Sequence, residues 1–392
     1  MRRAAVVLLG PLLPLLARAE PAPVIGGDTS PAGKWPDTAA MYYPDGNQGC
    51  TGTLIAPTVV LTAGHCIYDG GPSAVLVGTN SLSRRADGEF LPVTKRIPYP
   101  DSDSTYDIAV LVLGQASRIT PRPIATGWAR ADIKDGAAVA IAGYGAIDRD
   151  ANDYVNEMQE ATTTITDADC VRSAGCNPAA KPSGELGAGG MGIDTCPGDS
   201  GGPLYLTTSY GAFLAGVTSR GYDDNLYYCS EGGIYARPDK IINWIEQEAG
   251  VPVARGPEPT WDALAAVRGH AAETQLDAND PKSESHTYAL TTPPMNGTAK
   301  VTADGRVRVC TDPGVAGQDS MVVTITDTTT PGRTLAVKMP ITINDGAPGA
   351  NCDVEAFEND GSGGCCDSGR NANGSIVLGI GLVAVLRRRQ RS

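Results

Sequence analysis

Three short motifs carry residue types that can act together in nucleophilic catalysis. The stretch DTCPGDSGGP, residues 194–203, is a glycine-rich turn from which the Ser200 hydroxyl can project into a cleft. The stretch TAGHC supplies His65, and the stretch YDIAVL supplies Asp107. A serine hydroxyl is a weak nucleophile at neutral pH, so it needs a base within hydrogen-bonding distance and a carboxylate that orients that base. The predicted chemistry is acyl transfer at Ser200, with the N–H groups of Gly198 and Ser200 facing the developing oxyanion.

The histidine content leaves little choice of base. The chain has 3 histidines, and His65 is the only one before residue 250. A lone histidine is often a satisfied core residue, but three motifs that agree in residue type and order argue against that reading. The other two, His270 and His286, have no evident ligand set, so a packing or solvated role is favoured over metal binding. We expect no cofactor and no metal.

Short β-strands must position these motifs. Between residues 24 and 249, β-type runs are separated by turn residues, and the pattern closes with apolar residues at helical spacing in 239–248. Many strands followed by one amphipathic helix fit two packed β-barrels. The runs lie at 52–56, 58–62, 74–77, 108–113, 137–142, 203–205 and 213–218.

The motifs, together with Gly143-Tyr144-Gly145 and the final helix with Trp244, resemble the trypsin/chymotrypsin family of serine peptidases over residues 24–249. The order His, Asp, Ser along the chain is that of this family and differs from those of subtilisins and α/β-hydrolases. The resemblance implies an all-β domain, a chymotrypsin-like double β-barrel with a C-terminal helix. It also implies endopeptidase activity through an acyl-enzyme, in the crevice between the barrels.

The resemblance also implies a specificity pocket. Asp194 stands six positions before the serine, where trypsin-like members hold a carboxylate at the pocket floor. Ser219, Gly221 and Gly233 match the pocket walls, and the glycines leave it open. Because a buried carboxylate favours a cation, we predict cleavage after Arg or Lys; the alternative is that Asp194 points away and binds backbone. Arg220 stands where the family usually has Trp, and the hypothesis is that this flexible cation favours acidic groups on the substrate.

Activation follows from the same resemblance. The family pairs the carboxylate before the nucleophile, here Asp199, with a newly liberated N-terminal amine, and the stretch VIGG beginning at Val24 matches that terminus. The protein is therefore expected to start as a zymogen with residues 20–23 as its propeptide. Pro23 precedes Val24, so self-activation by an Arg/Lys-specific enzyme is not expected. The pairs Glu-Pro and Ala-Pro in 20–23 suit stepwise trimming by a separate, dipeptidyl-type protease.

Residues 1–19 read as a signal peptide, with two arginines, an apolar stretch and a small-residue cleavage site. The alternative is a membrane anchor, although the apolar run is short and interrupted by prolines. Export predicts that most of the 10 cysteines form disulfides. The resemblance implies two bridges, and a third pair is close in sequence: Cys50–Cys66, Cys196–Cys229 and Cys170–Cys176. The net charge of −13 argues against nucleic acid as a partner.

The remainder of the chain divides into four segments. Residues 250–259 are a proline-rich linker, and 260–345 resemble a bacterial Ig-like or cadherin-like β-sandwich. In this module the pairing of Cys310 with Cys352 stays open, and calcium binding is a weaker alternative to a solvated acidic surface. Residues 346–373 have the composition of a disordered spacer with two adjacent cysteines. Residues 374–392, apolar and then arginine-rich, resemble myxobacterial-type sorting tails; the alternative is a short permanent transmembrane helix.

The leading hypothesis is an exported, secreted or surface-anchored trypsin-like serine endopeptidase. Its expected partners are protein or peptide substrates with Arg or Lys, an activating protease, and a membrane or cell envelope that holds the tail. The alternative function is a surface adhesion or binding protein built on a protease scaffold, with the Ig-like module as its main functional part.

Overall fold

The computed structural model describes residues 23–100, 102, 106–177, 184–283, 285–349 and 352–357. The predicted signal peptide, most of the propeptide, most of the 346–373 spacer and the whole sorting tail lie outside the described residues. The described residues up to Val354 belong to one compact unit. Within the described part of the chain, no helix combines the length and apolarity that a membrane crossing requires.

The first barrel contains six antiparallel strands and closes in the order β2-β3-β4-β7-β6-β5. Its strands are rich in β-branched and aliphatic residues, and buried side chains such as Leu54, Val60 and Leu111 fill the interior. A two-residue strand, β1 (Asp28–Thr29), precedes the barrel. The barrel strands are β2 (Thr38–Tyr42), β3 (Gln48–Ala56), β4 (Val59–Thr62), β5 (Ala74–Val77), β6 (Glu89–Pro98) and β7 (Ala109–Leu113).

A second six-stranded barrel follows in the order β9-β10-β13-β12-β11-β8, and the pairing of β8 with β9 closes it. Strand β1 extends this sheet by pairing with β9. The predicted double β-barrel is therefore confirmed. Its strands are β8 (Ala138–Gly143), β9 (Gln159–Asp167), β10 (Glu185–Ala188), β11 (Pro203–Thr208), β12 (Gly211–Gly221) and β13 (Gly233–Ala236).

The C-terminal helix and a buried polar contact hold the barrels together. The C-terminal helix Ile242–Ala249 buries Ile242 and Ile245 in a cluster that includes residues of both barrels. Between the barrels, the hydroxyl of Tyr205 donates to Asp37 at 2.6 Å, and the Tyr205 ring stacks on Trp35 with the ring centres 4.4 Å apart. A shorter helix, Gly127–Ala131, follows the connection between the barrels. These contacts fix the crevice in which residues from both barrels meet.

The downstream module is a β-sandwich, as predicted. A four-stranded sheet in the order β14-β20-β19-β16 packs on a three-stranded sheet, β15-β18-β17, around Val309, Val323 and Ile341. A disulfide joins Cys310 of β18 to Cys352. The strands are β14 (Leu264–Val267), β15 (Ala271–Gln275), β16 (His286–Thr292), β17 (Gly297–Val301), β18 (Arg306–Thr311), β19 (Gly317–Asp327) and β20 (Thr334–Asn344).

The proline-rich segment 250–259 is bonded along the surface of the first domain. The N–H of Ala254 donates to Ile55 O at 2.9 Å, and the carbonyl of Ala254 accepts from Ile124 N–H at 2.9 Å. Farther on, Pro257 O accepts from Trp128 N–H at 2.9 Å. The segment is thus hydrogen-bonded to the first domain instead of crossing the solvent as a free loop. It places the sandwich next to the helix Gly127–Ala131.

A buried arginine joins the sandwich to the double barrel. Arg333 is 1% exposed, and its guanidinium donates to Asp132 of the first domain at 2.8 Å. The same group donates to Asp280 and, at 3.1 Å, to Asp327 of the module. It also lies 4.4 Å from the ring centre of Trp128, which is itself fully buried. The interface therefore contains a cation shared by three carboxylates and one indole.

These contacts bear on the acidic and histidine residues of the module. Asp280 accepts from both Arg333 and His286, the latter at 3.0 Å with the imidazole 6% exposed. Asp319 accepts backbone N–H groups, including that of Asn296 at 2.7 Å. Asp280 and Asp319 thus accept hydrogen bonds from donors within the protein. Among the described residues, these contacts do not form a cluster of calcium ligands.

Candidate active site

Antiparallel pairing brings His65 and Asp107 to one end of the first barrel. Strand β4 ends at Thr62, strand β7 begins at Ala109, and these two residues are paired in register. His65 lies three residues after the end of β4, and Asp107 lies two residues before the start of β7. Because neighbouring antiparallel strands end and begin at the same edge of a sheet, the two side chains meet there.

Asp107 contacts both the ring and the backbone of His65. Nδ1 of His65 lies 2.8 Å from Oδ2 of Asp107, and the backbone N–H of His65 donates to Oδ1 at 2.8 Å. The hydroxyl of Ser219 donates to Oδ2 at 2.7 Å. Burial disfavours the charged carboxylate, but the hydrogen bonds from His65 and Ser219 outweigh it, so the pKa of Asp107 is lowered. The carboxylate therefore stays ionised and fixes the imidazole orientation.

Residues of the first barrel hold the Ser200 loop against the edge that carries His65. The N–H of Thr51 donates to Ser200 O at 2.8 Å, and its hydroxyl donates to Gly198 O at 2.9 Å. Gly201 has φ +79°, and a Cβ there would lie 2.1 Å from Oγ1 of Thr62. Only glycine fits at this position, because any side chain would collide with β4 and adopt an unfavourable backbone conformation. The loop thus crosses from the second barrel into the crevice.

The backbone around Ser200 leaves two donors unused. Among the described residues, the N–H groups of Gly198 and Ser200 donate no hydrogen bond to a protein acceptor. Gly198 has φ +100°, a value that favours glycine. Two unpaired N–H groups on one tight turn can stabilise an oxyanion.

Ser200 opens onto a cavity of about 240 Å³. Asp194, Ser219, Gly221 and Gly233 line this cavity together with Ser200. Gly221 and Gly233 are paired across β12 and β13. A Cβ on Gly233 would lie 3.6 Å from Oδ1 of Asp194, so a side chain there would project toward the carboxylate. The paired glycines therefore keep the route between the serine and the aspartate open.

Asp194 is 1% exposed, and its charge is only partly compensated. Burial raises the pKa of Asp194 to about 6, while backbone N–H groups, including those of Gly232 at 2.9 Å and Thr195 at 2.8 Å, lower it. The carboxylate thus lines the cavity and also binds backbone N–H groups, and its recognition of Arg or Lys stays a prediction. A cation entering the cavity would favour ionised Asp194.

The expectation of a flexible Arg220 is wrong. Its guanidinium makes two parallel hydrogen bonds, both of 2.9 Å, to the carboxylate of Glu185, which is 3% exposed at the side chain. It also donates to Gly175 O at 2.8 Å. A paired, four-atom fork of this kind is rigid. The Arg220 side chain is 39% exposed, and its positive charge is paired with the buried Glu185 carboxylate instead of standing free beside the pocket.

The predicted activation residues lie in the second barrel. The side chain of Val24 is 2% exposed and packs in that barrel's core, and Ile25 O accepts from Asp194 N–H at 3.3 Å. Asp199 is 1% exposed and accepts N–H groups of Gly145 at 2.8 Å and Cys196 at 3.0 Å. Burial raises the pKa of Asp199 to about 6. The buried carboxylate would therefore be stabilised by a cation.

Three disulfides support the site, and they are the pairs expected from the sequence: Cys50–Cys66, Cys170–Cys176 and Cys196–Cys229. The first follows His65 directly, and the third ties the serine loop to the segment before β13. Two clusters bring these cysteines near His65 or near Glu185. Their sulfur atoms are bonded to one another, so they offer no thiolate to a metal.

Thr51 and Glu185 were not identified from the sequence as site residues. Thr51 acts through two hydrogen bonds to a loop that lies almost 150 residues away. Glu185 pairs with Arg220 across 35 residues. No local spacing marks such partners, because the barrel topology alone brings them together.

Comparison with known proteins is consistent with this geometry. The Trypsin family model matches residues 24–245, and the Bacterial Ig domain model matches residues 251–339. Human serine protease 56 is 30% identical over 64% of this chain, and mouse serine protease 56 is 32% identical over 60%. The trypsin of Saccharopolyspora erythraea is 30% identical over 55% of this chain and 92% of that protein. The chain spans less than half the length of the two serine protease 56 relatives, 43% and 40%.

Proposed function

Because the chain belongs to the trypsin family, we propose that it is an exported serine endopeptidase that hydrolyses peptide bonds after Arg or Lys. The observation that carries the proposal is the 240 Å³ cavity, which is lined both by Ser200 and by the buried carboxylate of Asp194. A carboxylate that burial leaves short of compensation binds a cationic side chain, and a bound side chain of that kind holds its own peptide carbonyl at the serine.

The proposed mechanism gives one role each to Ser200, His65 and Asp107. Ser200 attacks the substrate carbonyl while His65 accepts its proton, and the ionised Asp107 stabilises the imidazolium through the 2.8 Å contact. The unused N–H groups of Gly198 and Ser200 stabilise the oxyanion. His65 then protonates the leaving amine, and an acyl-enzyme remains. Water deprotonated by His65 hydrolyses this ester and regenerates the serine.

Activation by cleavage between Pro23 and Val24 is part of the proposal. Val24, a β-branched residue, has φ +39°, a strained value. Cutting the preceding peptide bond removes that constraint and creates an amine that can pair with Asp199. N-terminal sequencing of the active form should read Val-Ile-Gly-Gly. Any other terminus on the active form would contradict this step.

The test uses the full chain after processing, with a fluorogenic peptide panel and an Arg-type phosphonate that labels reactive serines. We expect Arg and Lys substrates to exceed Phe and Ala substrates by at least about 100-fold in kcat/KM. Ser200→Ala should abolish both labelling and turnover, whereas Ser83→Ala, at an exposed loop serine, should change neither. A processed protein that neither labels nor cleaves any panel member would refute the peptidase proposal.

One relative favours a second candidate function. Glucanase inhibitor protein 1 of Phytophthora sojae is 30% identical over 57% of this chain and 87% of that protein, so a similar sequence occurs in a protein named as an inhibitor. The second candidate is a surface adhesion or binding protein. It would require that Ser200 lacks reactivity although the His65–Asp107 pair is assembled. The phosphonate experiment separates the two candidates directly.

Export and anchoring complete the proposal. Four disulfides within the described residues suit an oxidising compartment. We propose that residues 1–19 are removed on export and that the tail, residues 374–392, directs the protein to the envelope. Mass spectrometry of both mature termini tests this: an intact residue 1 or a soluble protein with an intact tail would contradict it.

A further inference from the structure

The hydrogen-bond chain behind the catalytic aspartate does not end at Ser219. Nη1 of Arg220 donates to Oγ of Ser219 at 3.1 Å, and that hydroxyl in turn donates to Asp107 at 2.7 Å. Arg220 is itself held by the buried Glu185 through two bonds of 2.9 Å. The result is a continuous path from a buried carboxylate to the carboxylate that orients His65.

The chemistry of the Ser219 hydroxyl gives this path a direction. A hydroxyl has one hydrogen to donate and lone pairs that accept. The guanidinium has only donors, so it occupies an acceptor position on Oγ and leaves the hydrogen to point at Asp107. The Glu185 fork prevents the guanidinium from swinging away. Arg220 thereby fixes the donor role of Ser219 toward Asp107.

Resting on the proposed function, we propose that Arg220, braced by Glu185, is a positioning residue for the Asp107–His65 pair. Its charge also acts on that pair, because the positive guanidinium favours ionised Asp107 and disfavours the imidazolium. The other charges that face Arg220 are the carboxylates of Glu185 and Asp223. In this proposal the Arg220–Glu185 ion pair supports the base, His65, through Asp107 instead of recognising the substrate.

The test is a charge cycle in the full processed chain. The variants are Arg220→Met, Glu185→Gln and the double variant. The primary readout is the pH midpoint of the low-field proton resonance of His65 Nδ1–H, which can be followed without turnover. Removing the cation should raise this midpoint by about half a pH unit, and removing only the anion should lower it similarly. The double variant should return close to the parent.

Catalysis supplies the second readout. We expect Arg220→Met to lower kcat/KM for a small Arg substrate about tenfold, with most of the loss in kcat, because a hydrogen bond to the orienting carboxylate is misdirected. Arg255→Met is the matched control. Arg255 is similarly exposed, 37% against 39%, and forms the same two-bond fork with Glu246. It should move neither readout.

The outcomes are distinguishable. Opposite midpoint shifts that cancel in the double variant support the proposal. Midpoints within about 0.1 pH unit of the parent in all three variants, or shifts in one direction, overturn it. Arg220→Met leaves the buried Glu185 carboxylate without its cation and is the variant most prone to misfold. If it misfolds, the charge-balanced double variant and Glu185→Gln decide the test. A parent that shows the resonance but no turnover refutes the peptidase function without refuting the positioning role.

Discussion

Replacing Arg333 by Met should uncouple the β-sandwich from the double barrel. The guanidinium, 1% exposed, binds Asp132 across the interface at 2.8 Å and two further aspartates within the module. Met has a similar apolar stem but carries no charge. The variant therefore leaves three buried carboxylates facing each other with less compensation.

The magnitude follows from the contacts that are lost and those that remain. Removing one partner from a buried ion pair costs about 3–5 kcal/mol, and the stacking over Trp128 adds about 1 kcal/mol. Lys282 still binds Asp132 at 2.9 Å, and His286 still binds Asp280 at 3.0 Å, so we take the lower part of the range. The expected loss is about 4–5 kcal/mol of unfolding free energy.

Urea unfolding of the full chain, in the Ser200→Ala background to prevent self-cleavage, measures this loss. Calorimetry should show a single parental transition separating into two in the variant, with an early red shift of indole emission as Trp128 leaves its buried site. The control is Arg268→Met, which removes a more exposed ion pair to Asp345 in the same module. It should cost less than about 1 kcal/mol. A loss below 1 kcal/mol for Arg333→Met, with one transition retained, would refute the reasoning.

Three further predictions concern the first domain. Asp194→Ser should lower kcat/KM on Arg substrates at least about 100-fold while leaving Phe substrates nearly unchanged, since only the cationic side chain loses its partner; equal losses on both would disprove the assignment. Gly201→Ala should lower the Tm by several degrees and reduce activity, because its Cβ would lie 2.1 Å from Thr62 Oγ1; unchanged melting would contradict the packing argument. Burial raises the pKa values of Asp194 and Asp199 to about 6, above the ordinary value of 3.8, so the folded unprocessed chain binds protons more tightly. Its Tm should therefore rise as the pH falls from 7 to 5, and this rise should shrink after processing pairs Asp199 with an amine; an equal rise in both forms would count against the pairing.

The acidic limit of stability has the opposite sign. Burial opposes ionisation of Asp280 and Asp327, but hydrogen bonds outweigh it, from Arg333 and His286 to Asp280 and chiefly from Thr329 to Asp327, and their pKa values are lowered. Their contribution is present above the ordinary carboxyl range and is lost as the pH falls through the lowered values. The unprocessed chain should accordingly be most stable near pH 4–5 and should destabilise below about pH 4, as a pH series of calorimetric scans will show.

The trypsin-family fold and the type of the second domain were predictable because local sequence patterns indicate both. Strand runs with turn residues between them specify two barrels and a sandwich, and the motifs around His65, Asp107 and Ser200 are short and contiguous. The disulfide pairs of the first domain could also be expected. The linker was less predictable: prolines indicate an extended chain, but they do not reveal that Ala254 and Pro257 bond to the first domain.

Local residue type was misleading at Arg220. An arginine in place of an aromatic residue predicts a mobile surface charge, and its sequence neighbourhood does not reveal the carboxylate that binds it, which lies 35 residues away. The partner, Glu185, enters from β10 because β10, β13 and β12 are neighbours in one sheet. The same limitation applies to Arg333, whose partner Asp132 lies 201 residues away.

The sequence by itself determined the candidate nucleophile, base and orienting carboxylate, the disulfide pairs to expect in the first domain, and the β-rich character of the chain. Those properties depend on residue identity and on spacing over a few positions. Only the tertiary structure decided which charges pair: Arg220 binds Glu185 and the hydroxyl of Ser219, and Arg333 binds Asp132 across the interface with the module. Ion pairing depends on distances between side chains remote along the chain, and strand order and domain docking set those distances.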